Sequence, residues 1–244
     1  MTAKDLQSRL RALGDPADAL FLQRFFKTGP GQYGEGDVFI GLRVPVIRAV
    51  AKDFAAMALS QVEKLLHSKI HEERLAALII LVAQAARGDD QKKKTIYALY
   101  LANTKFVNNW DLVDVSAPQV VGEYLADKSR RPLCRLARSK WLWERRISIL
   151  ATLHFIRLGQ FDDTLAITEI LLGDAHDLMH KAVGWMLREV GKRDTAVLEQ
   201  FLTRHAAVMP RTMLRYAIER LSQDRRKMFM AAKNSPQRHR ALRG

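Results

Sequence analysis

The sequence predicts an all-α protein, and three features carry that reading. Apolar residues recur at spacings of three and four through almost the whole chain, as in Leu6, Leu10 and Leu13 or Ile149, Leu150 and Leu153. Residues that start and stop helices fall at the ends of these stretches. No alternating run of Val, Ile or Thr long enough for a half-buried strand occurs, so little or no sheet is expected.

Taken in order, the first helix carries Leu6, Leu10 and Leu13, and Pro16 opens the second from its first turn. The glycine-rich stretch "KTGPGQYGEGDVFIG" at 27–41 interrupts the pattern and reads as a flexible surface loop joining the second and third helices. Ser60 with Glu63 has the form of a capping box before "KLLHS". The apolar run "LAALIILVAQAA" at 75–86 follows; it is too short to span a bilayer, and Gly88 marks its end. Further on come "WDLVDVSA" from Trp110, a helix with Pro132 in its first turn, "RISILATL" from Arg146 ending near Gly159, and a stretch ending near Gly173. "KAVGWMLR" from Lys181 stops near Gly191, Asp194 caps "TAVLEQFL", and Pro210 precedes "RYAIERLS" from Arg215. Residues 234–244, "NSPQRHRALRG", form a basic tail expected to be disordered, which leaves 1–233 as one domain.

A period underlies these helices. The segments from Arg74, Trp110, Arg146, Lys181 and Arg215 start 36, 36, 35 and 34 residues apart, each with a shorter helical stretch before it. That is the length of the helix pairs stacked in HEAT, armadillo or TPR arrays, so a curved α-solenoid is expected, with a compact non-repetitive bundle as the alternative. This register gives Trp110, Arg146 and Lys181 one repeat position, and gives Asp114 and Trp185 the position four residues later. Stacking would then bring Trp110, Asp114, Arg146 and Trp185 onto a common face.

Composition narrows the function. Lysine and arginine number 40 against 26 acids, a formal net charge of +14, which favours a polyanionic partner such as nucleic acid. One cysteine, Cys134, excludes an internal disulfide and a cysteine-ligated zinc or iron–sulfur site within the chain. The amino terminus has no apolar signal core, and a cytoplasmic location is expected. Gly29, Gly31 and Gly34 spell G-x-G-x-x-G, but the loop follows a helix rather than a strand and contains Pro30, which argues against a dinucleotide site. His176 and His180 have the spacing of a helical metal pair, yet Asp177 stands where H-E-x-x-H has glutamate; surface histidines are the better reading.

Among the many bases, Asp114 is out of place, since a carboxylate weakens simple DNA affinity. It lies four residues beyond Trp110, on the same helical face. A helix-cap or ion-pair role for Asp111 and Asp114 is the plain reading; a site for a cationic substrate beside an indole is the sharper one. Trp141 and Trp143 are assigned mainly structural roles.

"NNWDLVD", followed by "WERRISIL" and "KAVGWMLREV", resembles the AlkD-like DNA alkylation repair proteins over roughly residues 5–225. The resemblance implies a right-handed α-solenoid of HEAT-like helix pairs with a concave DNA-binding face. It further implies a monofunctional glycosylase that excises N3- or N7-alkylated purines, such as 3-methyladenine or 7-methylguanine, from double-stranded DNA without base flipping. In that pattern Asp114 matches the catalytic aspartate, Trp110 and Trp185 match the aromatic pair around the damaged nucleotide, and Arg146 matches an arginine on the DNA backbone. Lys181, Arg188, Arg211 and Arg215 are further candidates for phosphate contact. No metal or organic cofactor is expected, and a monomer is expected because no coiled-coil heptad is evident. The rival reading is a noncatalytic helical-repeat module for DNA or RNA structure or for a protein partner. The longer glycine-rich loop and the basic tail depart from the family's pattern.

Overall fold

The computed structural model describes residues 1–232, so the basic tail at 234–244 lies outside the described residues. All-α is the class observed: the described residues form fourteen α-helices and no strand beyond one isolated bridge between Val38 and Ile70. The chain forms two compact units, Met1–Lys128 and a second starting at Ser129. No helix among the described residues is long and apolar enough to cross a membrane.

The first unit contains α1 (Ala3–Ala12), α2 (Pro16–Phe25), α3 (Val44–Asp53), α4 (Leu59–Leu66), α5 (His71–Arg87), α6 (Asp90–Ala102) and α7 (Trp110–Ala117). A 3₁₀ turn, Thr104–Phe106, precedes α7 and a π-helical turn, Pro118–Gly122, continues it. α5 is the hub, packing on α3, α4 and α7. Its run Leu75–Leu81 is buried nearly all round, and the four ionisable residues before it, His71, Glu72, Glu73 and Arg74, are buried too. Charges so placed are costly unless paired, and each has its partners. Glu73 accepts from Arg11, Gln7 and Ser68, while Glu72 accepts from the amides of Ile40, Gly41 and Leu42.

The second unit contains α8 (Arg131–Ala137), α9 (Leu142–Arg157), α10 (Asp162–Leu171), α11 (Asp177–Gly191), α12 (Thr195–His205), α13 (Arg211–Ala217) and α14 (Gln223–Ala231). α9, α11 and α13 pack in succession, with α8 and α10 against α9 and α12 against α11. Gly184 makes the α11–α13 approach possible: a Cβ there would stand 2.5 Å from the Met213 carbonyl oxygen and 2.5 Å from Tyr216 Cβ.

A recurrent turn clasp reveals the repeat register. Ser68 Oγ accepts from the Ile70 amide, Ser139 Oγ from that of Trp141, and Asp174 Oδ1 from that of His176. Six residues beyond each of these, Arg74, Arg145 and His180 bond back to the backbone carbonyls of Ser68, Ser139 and Asp174. Arg74 is therefore equivalent to Arg145, not to Arg146 as the apolar matching had it. Helix starts correct the register further. α5, α7, α9, α11 and α13 begin at His71, Trp110, Leu142, Asp177 and Arg211, so Asp114, Arg146, Lys181 and Arg215 all fall at the fifth helical residue. Asp114 and Trp185 do not share a repeat position. The slip at α7 is about one turn, which an apolar pattern of spacing three and four cannot detect.

Of the predicted caps, Asp194 accepts from the Val197 amide, and Gly159 follows α9 with φ +74°. Ser60 and Glu63 form no capping box. α4 starts earlier, with Ala58 at its N-cap and no side-chain bond, and Glu63 accepts from Asn103 Nδ2 at 2.9 Å.

Candidate functional site

The site is built around the first turn of α7. Asn109, fully buried, is its N-cap; its Oδ1 accepts from the Trp110 amide at 2.9 Å, and its Nδ2 donates to Asp37 Oδ2 at 3.1 Å. Trp110 is half-buried, its indole stacked on Phe26 with 5.3 Å between ring centres and edged by Phe25 at 6.1 Å. Asp111 accepts from His71 Nε2 at 2.8 Å, so it is a partner of His71 rather than the helix cap.

Asp37 reaches this place because the loop at 27–41 is anchored rather than loose. The Glu72 carboxylate holds the amides of Ile40–Leu42, His71 donates its own amide to the Val38 carbonyl at 2.8 Å, and Gly34 abuts the Phe26 carbonyl so closely that a Cβ would lie 2.4 Å from it. Of the G-x-G-x-x-G glycines only Gly34 serves this packing, while Gly31 turns the chain with φ +72°. Asp37 accepts from Arg74 Nη2 at 2.5 Å and from His71 Nδ1 at 3.0 Å. Burial alone would raise the Asp37 pKa; the bonds from His71 and Asn109 and the Arg74 charge override it and hold the carboxyl below its ordinary range. Burial alone would lower that of His71. Asp111 and then Asp37 outweigh burial and the opposing Arg74, and the imidazole is pushed up to about 9.

Asp114 stands one turn beyond Trp110 and is half-buried. Beside it lies Tyr100, fully buried, whose hydroxyl bonds Ser116 Oγ at 3.0 Å. The Tyr100 phenol is raised, by burial first and then by the negative charge of Asp114. Pro118 has no N–H to offer the Asp114 carbonyl, and the helix passes there into the π turn closed by Glu123 N to Pro118 O at 3.0 Å.

The second unit holds the other candidates. Arg146 is buried at 5% exposure, and its Nη1 donates to the Leu178 carbonyl at 2.8 Å, bracing the first turn of α11. Trp185 is half-buried, with Nε1 donating to Glu189 Oε1 at 3.2 Å. Lys181 pairs with Asp177 at 2.7 Å, and Arg188 with Glu219. Arg211 and Arg215 are exposed; Arg211 bonds the Met230 carbonyl, and Arg215 reaches Thr212 Oγ1. Trp143 is buried, whereas Trp141 is 44% exposed. His176 caps α11 through the Leu178 amide, and His180 clasps the turn, so both serve the backbone rather than standing idle on the surface. Among the described residues no group of three or more His, Cys, Asp or Glu is placed to hold a metal ion.

The model of a family described as DNA alkylation repair enzyme matches residues 6–221. The chain belongs to this family. A solved structure, a predicted DNA alkylation repair enzyme from Enterococcus faecalis, shares the fold of this DNA alkylation repair family member with a TM-score of 0.67 at 17% identity, over 86% of this chain and 97% of that one. No curated protein matches the chain. Membership in the DNA alkylation repair enzyme family gives the protein a role in DNA repair and DNA as its partner. Sequence reasoning missed Asp37, His71, Arg74 and Asn109. One signal was available: an apolar helix with no polar face, preceded by "HEER", must bury those charges along with itself.

Proposed function

We propose that the protein is a monofunctional DNA glycosylase that hydrolyses the N-glycosidic bond of cationic N3- or N7-alkylated purines. The observation that carries this reading is the Asp114 carboxylate one helical turn from Trp110, a half-buried indole stacked on Phe26. As the bond breaks, positive charge passes from the alkylated base to the deoxyribose, and an ionised Asp114 stabilises it there. Two unit charges about 4 Å apart at an effective dielectric of about 20 attract by about 4 kcal/mol. Felt only in the transition state, that is on the order of a thousandfold in rate, enough for a bond already weakened by alkylation and too little for an unmodified purine. Selectivity then comes from the charge of the lesion rather than from a shaped pocket that receives a flipped base.

In this reading Trp110 and Trp185 are each assigned to contact with the nucleotide, and Lys181, Arg188, Arg211 and Arg215 to phosphates. Arg146 acts on the backbone through the α11 turn that it braces. The family's repair role supports the assignment, as does the +14 charge.

The test is Asp114→Asn with methylated duplex DNA. Release of 7-methylguanine should fall by about a thousandfold while DNA affinity holds or tightens slightly. Undiminished release by the purified variant overturns the assigned role.

A further inference from the structure

We propose that His71 is a positioning residue for the lesion site: clamped as an imidazolium between Asp37 and Asp111, it fixes the first turn of α7 and with it the plane of Trp110. The inference rests on the assignment of Trp110 and Asp114 to base excision.

Three consecutive residues of that turn are tied to one locus. Asn109 is held by Asp37, which His71 Nδ1 also reaches at 3.0 Å, and Asp111 is held by His71 Nε2 at 2.8 Å. Between them, Trp110 ends a column of rings that begins at His71. His71 stacks on Phe39 at 4.5 Å, Phe39 on Phe26 at 4.9 Å, and Phe26 on Trp110 at 5.3 Å. An ionised carboxylate only accepts hydrogen bonds, so a ring facing one at each nitrogen must donate from both and carries a positive charge. The charged groups around it are Asp37 from the loop, Asp111 from α7, and Arg74, Glu72 and Glu73 from its own helix. Of these, Glu72 is turned to the Ile40–Leu42 amides and Glu73 to Arg11 of α1. With two carboxylates against it and Arg74 opposing, His71 keeps its proton to about pH 9. Losing it would leave Asp111 unpaired and convert one of the two ring donors into an acceptor facing a carboxylate.

The test uses the full chain carrying 5-fluorotryptophan at its four tryptophans, with the Trp110 line assigned by its loss in Trp110→Phe. In the wild type that line should hold steady from pH 6 to 8 and shift as the pH passes about 9. In His71→Gln it should be displaced at every pH and should not titrate. In single-turnover release of 7-methylguanine, His71→Gln should be slowed by about tenfold or more with DNA affinity within about twofold, and only the wild type should lose rate above pH 9. Asp111→Asn, which keeps the side-chain shape, should move the Trp110 titration toward neutral pH, and it decides the matter if His71→Gln does not fold. A Trp110 line identical in the wild type and His71→Gln, or a titration unmoved in Asp111→Asn, overturns the proposal. Should the wild type release no base, the glycosylase reading fails, while the fluorine line still decides whether His71 positions Trp110.

Discussion

Raising the pH from 6.5 to 9.5 should weaken the first unit through one histidine. The His71 pKa is about 9 in the fold against an ordinary 6.5, so between those values the folded chain holds one proton more than the unfolded chain. The sign follows from that. A raised pKa contributes stability that is fully present below 6.5 and is lost as the pH climbs through 9, at about 1.4 kcal/mol per pH unit. The whole contribution is about 3 kcal/mol, most of it gone by pH 9.5. With a urea dependence of about 1–3 kcal/mol per molar, the unfolding midpoint should drop by about 1–3 M. Because other groups titrate over the same range, the quantity to follow is the gap between wild type and His71→Gln, read from tryptophan fluorescence in urea at each pH. The gap should be widest at pH 6.5 and nearly closed at 9.5. If it stays constant across the range, His71 is not protonated between its carboxylates.

Three further outcomes follow from the packing. Gly184→Ala should cost about 1–3 kcal/mol, because its Cβ collides with Met213 and Tyr216 of α13; an unchanged melting temperature would mean that the two helices are not so close. Glu72→Gln should cost about 1–2 kcal/mol and speed amide exchange at Ile40, Gly41 and Leu42, since a charge-assisted set of bonds becomes a neutral one; unaltered exchange there would refute the anchoring of the loop. Arg146→Ala should lower stability by about 1–3 kcal/mol by removing the buried side-chain bond to the Leu178 carbonyl and leaving a void where the guanidinium packed, and should weaken DNA binding with a shallower salt dependence. A stability loss with unchanged affinity and salt slope would confine Arg146 to bracing α11.

The helices were legible because their signals are local. The spacing of Leu6 and Leu10 and the Asp194 cap fall within a few residues of one another. So does the Trp110–Asp114 pairing on α7. The support of that pairing was not legible, because His71 lies 34 residues from Asp37 and 40 from Asp111, while Asn109 lies 72 from Asp37. Nothing local marks those residues as partners; only a tertiary fold brings them together. Ser60 and Glu63 show the converse failure. Their spacing satisfied a local rule, but α4 had already begun, and Glu63 was claimed by Asn103. The register error at α7 has the same origin, since an apolar face looks alike one turn up or down, whereas hydrogen bonds of the Ser68, Ser139 and Asp174 turns do not.

Those three turns also bear on how such a chain lengthens. Each closes on itself within six residues, a hydroxyl or carboxylate taking one amide and a basic side chain covering the carbonyl. The Asp174 turn is also tied to α9, where Arg145 Nε donates to its carboxylate at 2.6 Å. A duplicated helix pair would arrive with its hinge amide and carbonyl already satisfied, whereas deleting the pair that carries α9 would strip the buried Asp174 carboxylate of its arginine. Growth by whole pairs therefore asks that the new apolar faces match and that an ion pair reaching from one corner to the next be kept or replaced.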